Sequence, residues 1–286
     1  MSFKVRTFLI SFIICGIFMS LMLLLYSSSG HFMAKLFPDG GMRILMCFVF
    51  GFLIGFIVSL FVFLFSKNVK QQNEIMDELE KNGYSDRFIQ LLRAEVSRLS
   101  YTKLTQISLN YIIMLADAYL LRGNPQEAAN IINLVNPKKN PIFSPTTPMG
   151  TSNQIKFYDV QMCICEPLGQ VDRANNIMRE AMPILNSNMG KSMQNDMFIW
   201  ETFSVYNILI GRYDEAMRYA DSFFKYNNRA AKLLGNIMKI RVCYYLRDRS
   251  SAYQYYTEAE KLVEKPVERD MMNYVNKYYL QSPVYN

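Results

Sequence analysis

The sequence predicts an all-α protein: an N-terminal two-helix transmembrane hairpin followed by a stack of further helical hairpins. Three observations carry this. Two long runs near the N-terminus hold no charged residue, apolar residues recur at three- and four-residue spacing from Ser85 onward, and a turn signature returns at the end of successive helices. Outside the loops, no stretch sustains the period-two alternation of a half-buried strand.

Residues 7–26 form 20 consecutive uncharged positions and residues 44–66 another 23, each long enough as an α-helix to cross about 30 Å of hydrocarbon. A core helix rarely stays uncharged on every face for so many turns, so both runs are predicted to span a bilayer. The connection, residues 27–43, contains Pro38, Asp39, Gly40 and Gly41, a turn-forming set that suits an antiparallel hairpin. Lys4 and Arg6 precede the first run and Lys67 and Lys70 follow the second, against Lys35 and Arg43 between them. With the α-amino group added, this small bias puts both termini on the cytoplasmic side of a plasma or inner membrane. Residues 1–30 also read as a signal peptide, though the apolar stretch exceeds the usual 7 to 15 or so. Cleavage would leave the second run as a stop-transfer helix and the C-terminal part on the same side.

Gly51 and Gly55 form a GxxxG, and Gly16 with Ser20 a small-xxx-small pair, so each run has one face where backbones can approach closely. These faces either fasten the hairpin to itself or form a homodimer. No ionisable residue lies inside either run, which removes the usual mark of an ion pathway or transport site.

Residues 1–66 contain four Lys/Arg and one Asp, which leaves 27 basic and 23 acidic residues in the remainder. That balance, without a run of like charge, excludes a nucleic-acid stripe. Of five cysteines, Cys15 and Cys47 fall in the apolar runs; Cys163, Cys165 and Cys243 lack the spacing of a disulfide framework or zinc site and read as core or groove residues.

Beyond the second run, residues 67–100 read as juxtamembrane helices: a polar spacer ending at Asn82-Gly83, then Ser85 as N-cap to a stripe of Phe88, Leu91, Leu92, Val96 and Leu99. Residues 136–153 contain Pro137, Pro141, Pro145 and Pro148 and are expected to form a loop, as are residues 186–195 around Gly190. Between these breaks Gly123 and Ala128, Gly169 and Ala174, and Gly211 and Ala216 share one spacing, Gly followed by Ala five residues on. Arg247 and Ala252 repeat the spacing without the Gly. Glycine allows a tight turn between helices, and alanine lets the second helix lie close to the first.

Here the chain resembles tetratricopeptide repeats, with Trp200, Phe203 and Tyr119 at aromatic or large apolar positions of first helices and Ala181 and Ala259 at the small position of second helices. Its Ala positions are 46, 42 and 36 residues apart, against the family's unit of about 34, so the repeats are irregular; Met162 and Ile240 also replace the small residue expected where two helices cross. The resemblance implies a repeat domain over residues 101–286, ended by a capping helix at 267–281. It further implies a groove lined by first helices, with Ile113, Asp117, Asp159, Glu201 and Val205 at groove positions. The Lys and Asn carboxylate clamp of some family members is not reproduced, so the expected ligand is basic or apolar.

The single histidine, His31, falls between the two runs, which excludes Ser-His-Asp and Cys-His arrangements in the main domain. GxxxxGK[ST] and GxGxxG are absent. The sequence therefore predicts no enzyme, cofactor or metal. It predicts a membrane-anchored scaffold that presents a cytoplasmic helical domain to a protein or peptide partner, with the bilayer as its other contact. The competing expectation is an accessory subunit that meets its partner through the hairpin.

Overall fold

The computed structural model describes residues 12–13, 16–17, 20, 40–99, 101, 104–137, 140–143 and 148–281. All regular structure among them is helical: α1 Gly40–Asn82, α2 Asp86–Val96, α3 Gln106–Leu121, α4 Pro125–Ile132, α5 Pro148–Cys165, α6 Val171–Asn188, α7 Met193–Leu209, α8 Tyr213–Ser222, α9 Arg229–Leu246, α10 Arg249–Glu260 and α11 Pro266–Val275. The chain divides into two compact units, Met1–Glu74 and Ile75–Asn286.

α1 joins two stretches that the sequence pattern separates, the second apolar run and the polar spacer, into one helix of 43 residues. Nothing in the spacer breaks a helix until Gly83, whose φ of +63° ends it. When only described residues count, no helix is long and apolar enough to cross a membrane. The uncharged run 44–66 nevertheless lies wholly within α1. Of the first predicted span only Phe12, Ile13, Gly16, Ile17 and Ser20 are described, all helical; His31 and the connection up to residue 39 lie outside the description.

Within the first unit the two small-residue faces meet. Gly51, Gly55 and Ser59, one turn apart on α1, are buried, as are Gly16 and Ser20. A Cβ built on Gly51 would fall 2.2 Å from Ser20 Oγ and 2.7 Å from its Cα, so only glycine allows this approach. Ser20 Oγ donates to the Gly16 carbonyl at 2.7 Å, and Phe12 packs edge-on against Phe52 and Phe56. The large side chains on the rest of α1, among them Ile44, Leu45, Val49, Leu53 and Ile57, point outward and are exposed.

In the second unit α2 is capped as its sequence suggests, with Phe88 N–H donating to Ser85 Oγ at 3.1 Å. Phe88, Ile89, Leu92 and Val96 are its buried face, while Leu91 and Leu99 are only partly covered. The helices that follow pack in consecutive pairs, α3 with α4, α5 with α6, α7 with α8 and α9 with α10, and the first helix of each pair packs on the first helix of the next.

The four turns inside these pairs close in the same way. Asn124 N–H donates to the Tyr119 carbonyl at 2.8 Å, Gln170 to Cys165 at 2.9 Å, Arg212 to Asn207 at 2.8 Å and Asp248 to Cys243 at 2.9 Å. This closure needs a left-handed residue just before the donor. Gly123, Gly169 and Gly211 supply it, and in the fourth turn Arg247 takes φ 59° in glycine's place. Ala128, Ala174, Ala216 and Ala252 stand one turn into the second helices and are fully buried against the first.

Two boundaries differ from the sequence pattern. α5 starts at Pro148, inside the expected loop 136–153, because proline is compatible with the first helical position, where no N–H is needed. The break expected at 186–195 shrinks to residues 189–192, between α6 and α7. The terminal helix departs most from expectation. Besides covering the last pair, where Met272, Val275, Tyr279 and Leu280 pack with Leu233, Ile237, Ile240 and Ala259, α11 and the π-helical turn Asn276–Leu280 after it reach back to the beginning of the stack. Tyr84 N–H donates to Asp270 Oδ2 at 2.7 Å, and Tyr278 Oη donates to the Gly123 carbonyl at 3.4 Å. Arg229 anchors the start of α11 with a two-pronged contact to Glu268 at 2.7 and 2.8 Å.

Arg247 is exposed and held in a conformation that costs an L-residue about 1–2 kcal/mol. Arg247→Gly is therefore expected to raise unfolding stability by about 1 kcal/mol, and Arg247→Ala to leave it unchanged or lower. Thermal unfolding followed by helical circular dichroism checks this; equal midpoints for the two variants would remove left-handed strain as the explanation.

Candidate functional site

The first helices of the pairs present two rows of side chains toward one cavity of about 340 Å³ in the second unit. Ten residues before each turn stand Ile113, Asp159, Glu201 and Ile237; six before, one helical turn further along, stand Asp117, Cys163, Val205 and Arg241. Seven of these eight line the cavity. Four of the five residues expected in a groove, Ile113, Asp117, Asp159 and Glu201, are thus brought together. Val205 is the exception: it is fully buried in the helix packing, while Cys163 and Arg241 from the flanking helices converge on Glu201, one turn away. Met114, Val160, Phe198 and Leu234 complete the apolar lining, and α11 closes one side with Met271, Tyr274 and Val275.

The polar wall is a chain of buried or half-buried acids, each held by one or two protein donors. Tyr84 Oη donates to Asp117 Oδ2 at 2.6 Å, and Thr202 Oγ1 donates to Asp159 Oδ1 at 2.9 Å. Glu201 Oε1 accepts from Arg241 Nη1 at 3.2 Å and from the Cys163 thiol at 3.6 Å. Arg241 also donates through Nη2 to Glu166, just beyond the end of α5. Glu166 accepts in turn from Tyr279 Oη at 3.0 Å, which ties the terminal segment to the back of the site.

Burial, followed by repulsion from Glu201, pushes Asp159 well above the usual carboxylate range. Glu201 is raised by burial as well, with Arg241 opposing the shift. Asp117 rises from 3.8 to about 6, chiefly through burial. Lys156 faces Asp117 and Asp159 across the cavity with its Nζ 5.2 Å from the Phe198 ring centre, and burial lowers its proton affinity. Against the four carboxylates Asp117, Asp159, Glu166 and Glu201 the site sets two cations, Lys156 and Arg241. When all are ionised it carries an excess of negative charge.

Asp159, Cys163 and Glu201 bring three ligand atoms within 4.8 Å of one another, a span suited to a metal ion. The set fits one poorly. Burial and the neighbouring carboxylates push the Cys163 thiol well up, so it holds its proton and donates it to Glu201. Arg241 already supplies positive charge to the same carboxylate. The chemistry on offer is capture of a proton or an organic cation beside an apolar wall.

Sequence spacing alone did not mark Arg241, Lys156, Tyr84 or Tyr274 as site residues, and Cys163 read only as core or groove. The first had a usable signal, because it sits six residues before its turn as Asp117 does before its own. Tyr84 and Tyr274 had none, being brought in by helices outside the repeated pairs. The repeat-turn residues Gly123, Gly169 and Gly211 lie away from the cavity and shape it only through helix placement. Comparison with known protein families, curated proteins and solved structures returns no match to this chain.

The raised Asp117 pKa has a consequence for stability. Between about pH 4 and pH 6 the folded protein binds more protons at this residue than the unfolded chain does, so the contribution of Asp117 falls as pH rises through that window. Asp117 borders the cavity and is only partly buried, so solvent relieves part of the penalty. Asp117→Asn is expected to gain about 1 kcal/mol over the native chain at pH 7 and nothing at pH 4. Denaturant unfolding at both pH values reads the difference, and a gain that does not change with pH would contradict it.

Proposed function

We propose that the protein is a membrane-anchored, tetratricopeptide-like scaffold whose helical domain holds a basic, partly apolar segment of a protein partner beside the cytoplasmic face of the bilayer. The observation that carries this reading is the cavity. Two rows from successive first helices converge on it, and its wall combines excess carboxylate with apolar surface. A cationic group would relieve the repulsion among Asp117, Asp159 and Glu201 while its apolar neighbours cover Ile113 and Phe198.

The repeat resemblance is supported by the common closure of the four turns and by the four buried alanines. Unit spacings of 46, 42 and 36 residues depart from the family's regular length of about 34. The anchor is supported by the 23 uncharged residues inside α1 and by the outward position of its large apolar side chains. A helix that exposes Ile, Leu, Val and Phe around its circumference needs an apolar medium or partner. The small faces of Gly16 and Ser20 and of Gly51 and Gly55 are engaged with the chain itself, so no specific observation favours the accessory-subunit reading or a homodimer through these helices. Tethering would raise local partner concentration without demanding high affinity at the cavity.

Two measurements test this. The full-length chain is expected to stay in the membrane fraction through alkaline carbonate extraction and to leave it when residues 7–26 and 44–66 are both replaced by polar helices. Release of the native chain would remove the anchor. In crosslinked native membranes, the Asp159→Asn/Glu201→Gln double variant is expected to recover basic partners at least about tenfold less efficiently. Unchanged recovery from a variant of native helicity would remove the cavity as the partner site.

A further inference from the structure

The cavity is small and closed on the side where an open groove would let a chain pass. Its volume of about 340 Å³ is near the lower limit of ligand pockets, roughly 300–1,000 Å³. α11 lies across it, held by Asp270 to the Tyr84 backbone, by Glu268 to Arg229 and by Tyr279 to Glu166. An extended peptide laid along the first helices would have to displace α11, whose Met271, Tyr274 and Val275 wall the cavity. A single side chain would not.

What fills such a space is specified by its wall. One part is hydrocarbon and aromatic, from Ile113, Met114, Val160, Phe198 and Leu234, which suits a flexible alkyl stem. The opposite part is Asp117, Asp159 and Glu201, whose negative charge is only partly answered by Lys156 and by an Arg241 already shared with Glu166. One further group is left over. Arg241 is 6% exposed and lines the cavity, yet its buried Nε has no hydrogen-bond acceptor.

We propose that the cavity receives one long basic side chain of a partner polypeptide, with its alkyl stem against Phe198 and Leu234 and its cationic head among Asp117, Asp159 and Glu201. The inference rests on the reading of the cavity as the partner site and narrows it from a peptide groove to a socket for one residue. Lys156 is then a resident competitor, an ammonium group already facing the carboxylates that a guest would use.

The test titrates the full-length chain in lipid nanodiscs with three capped tripeptides, acetyl-Leu-Lys-Leu-amide, acetyl-Leu-Arg-Leu-amide and the neutral acetyl-Leu-norleucine-Leu-amide, with butylammonium as a fourth probe. At least one basic tripeptide is expected to bind at least about tenfold more tightly than the norleucine peptide, and more tightly than butylammonium, which lacks the flanking peptide. Asp117→Asn/Asp159→Asn should weaken the basic peptide at least about tenfold, and Lys156→Met should strengthen it several-fold by removing the competitor. Equal binding of the norleucine peptide, binding of butylammonium alone, or weaker binding to Lys156→Met would each overturn the proposal. If the double variant fails to fold, the Lys156→Met comparison still decides. Loss of tripeptide binding with retained dependence of partner recovery on Asp159 and Glu201 would reject the socket and keep the scaffold. The reverse outcome would keep the socket and reject the scaffold.

Discussion

A single hydrogen bond recurs at Asn124, Gln170, Arg212 and Asp248, from the backbone N–H to the carbonyl five residues back, and the arrangement of the helical unit depends on it. It fixes where each first helix stops and the angle at which the second one leaves. With a buried alanine at the same distance beyond every turn, the pairs can stack with their first helices side by side. Registration is the result that matters for the site. Residues ten and six positions before each turn come to the same level, so carboxylates far apart in sequence share one wall. The four turns tolerate unit lengths from 36 to 46 residues because the extra residues lie in the stretch ahead of α5 and in the longer second helix α6, and leave the turns themselves unaltered.

That registration creates an electrostatic problem which the rest of the unit answers only in part. Removing carboxylates from water is costly unless each finds a partner. Tyr84, Thr202 and Arg241 provide one apiece for Asp117, Asp159 and Glu201. Arg241 divides its guanidinium between Glu201 and Glu166, which leaves Asp159 with a neutral donor and Asp117 with a phenol. Their raised proton affinities are the measure of the imbalance. A purely structural polar network would be expected to be satisfied throughout, yet here Arg241 Nε is buried without an acceptor.

The terminal segment turns this surface into an enclosed space. α11 buries Met272 and Val275 and continues into a π-helical turn that buries Tyr279 and Leu280. The wider turn carries Tyr278 to Gly123 and Tyr279 to Glu166, so contacts 155 and 113 residues apart in sequence close the unit. The helix is therefore both a wall of the cavity and the element that limits what can enter.

By itself the sequence determined the helical class, the helix breaks, the turn positions and the candidate acids, because each is a local property. Glycine before a turn, alanine after it, proline at a boundary and the three- and four-residue rhythm of apolar side chains all act over one or two helical turns. Asp117, Asp159 and Glu201 were legible for the same reason, as acids at fixed distances from recognisable turns. Tertiary structure alone decided that these acids share one cavity, that Arg241 is shared by two of its neighbours and that Val205 stays in the core. It also decided where the last helix goes. An amphipathic pattern shows that α11 has a face to bury but not which surface will cover it: that face packs on the last pair at Leu233, Ile237 and Ile240, and polar partners more than 100 residues away, Tyr84 for Asp270 and Glu166 for Tyr279, hold the segment toward the start of the stack.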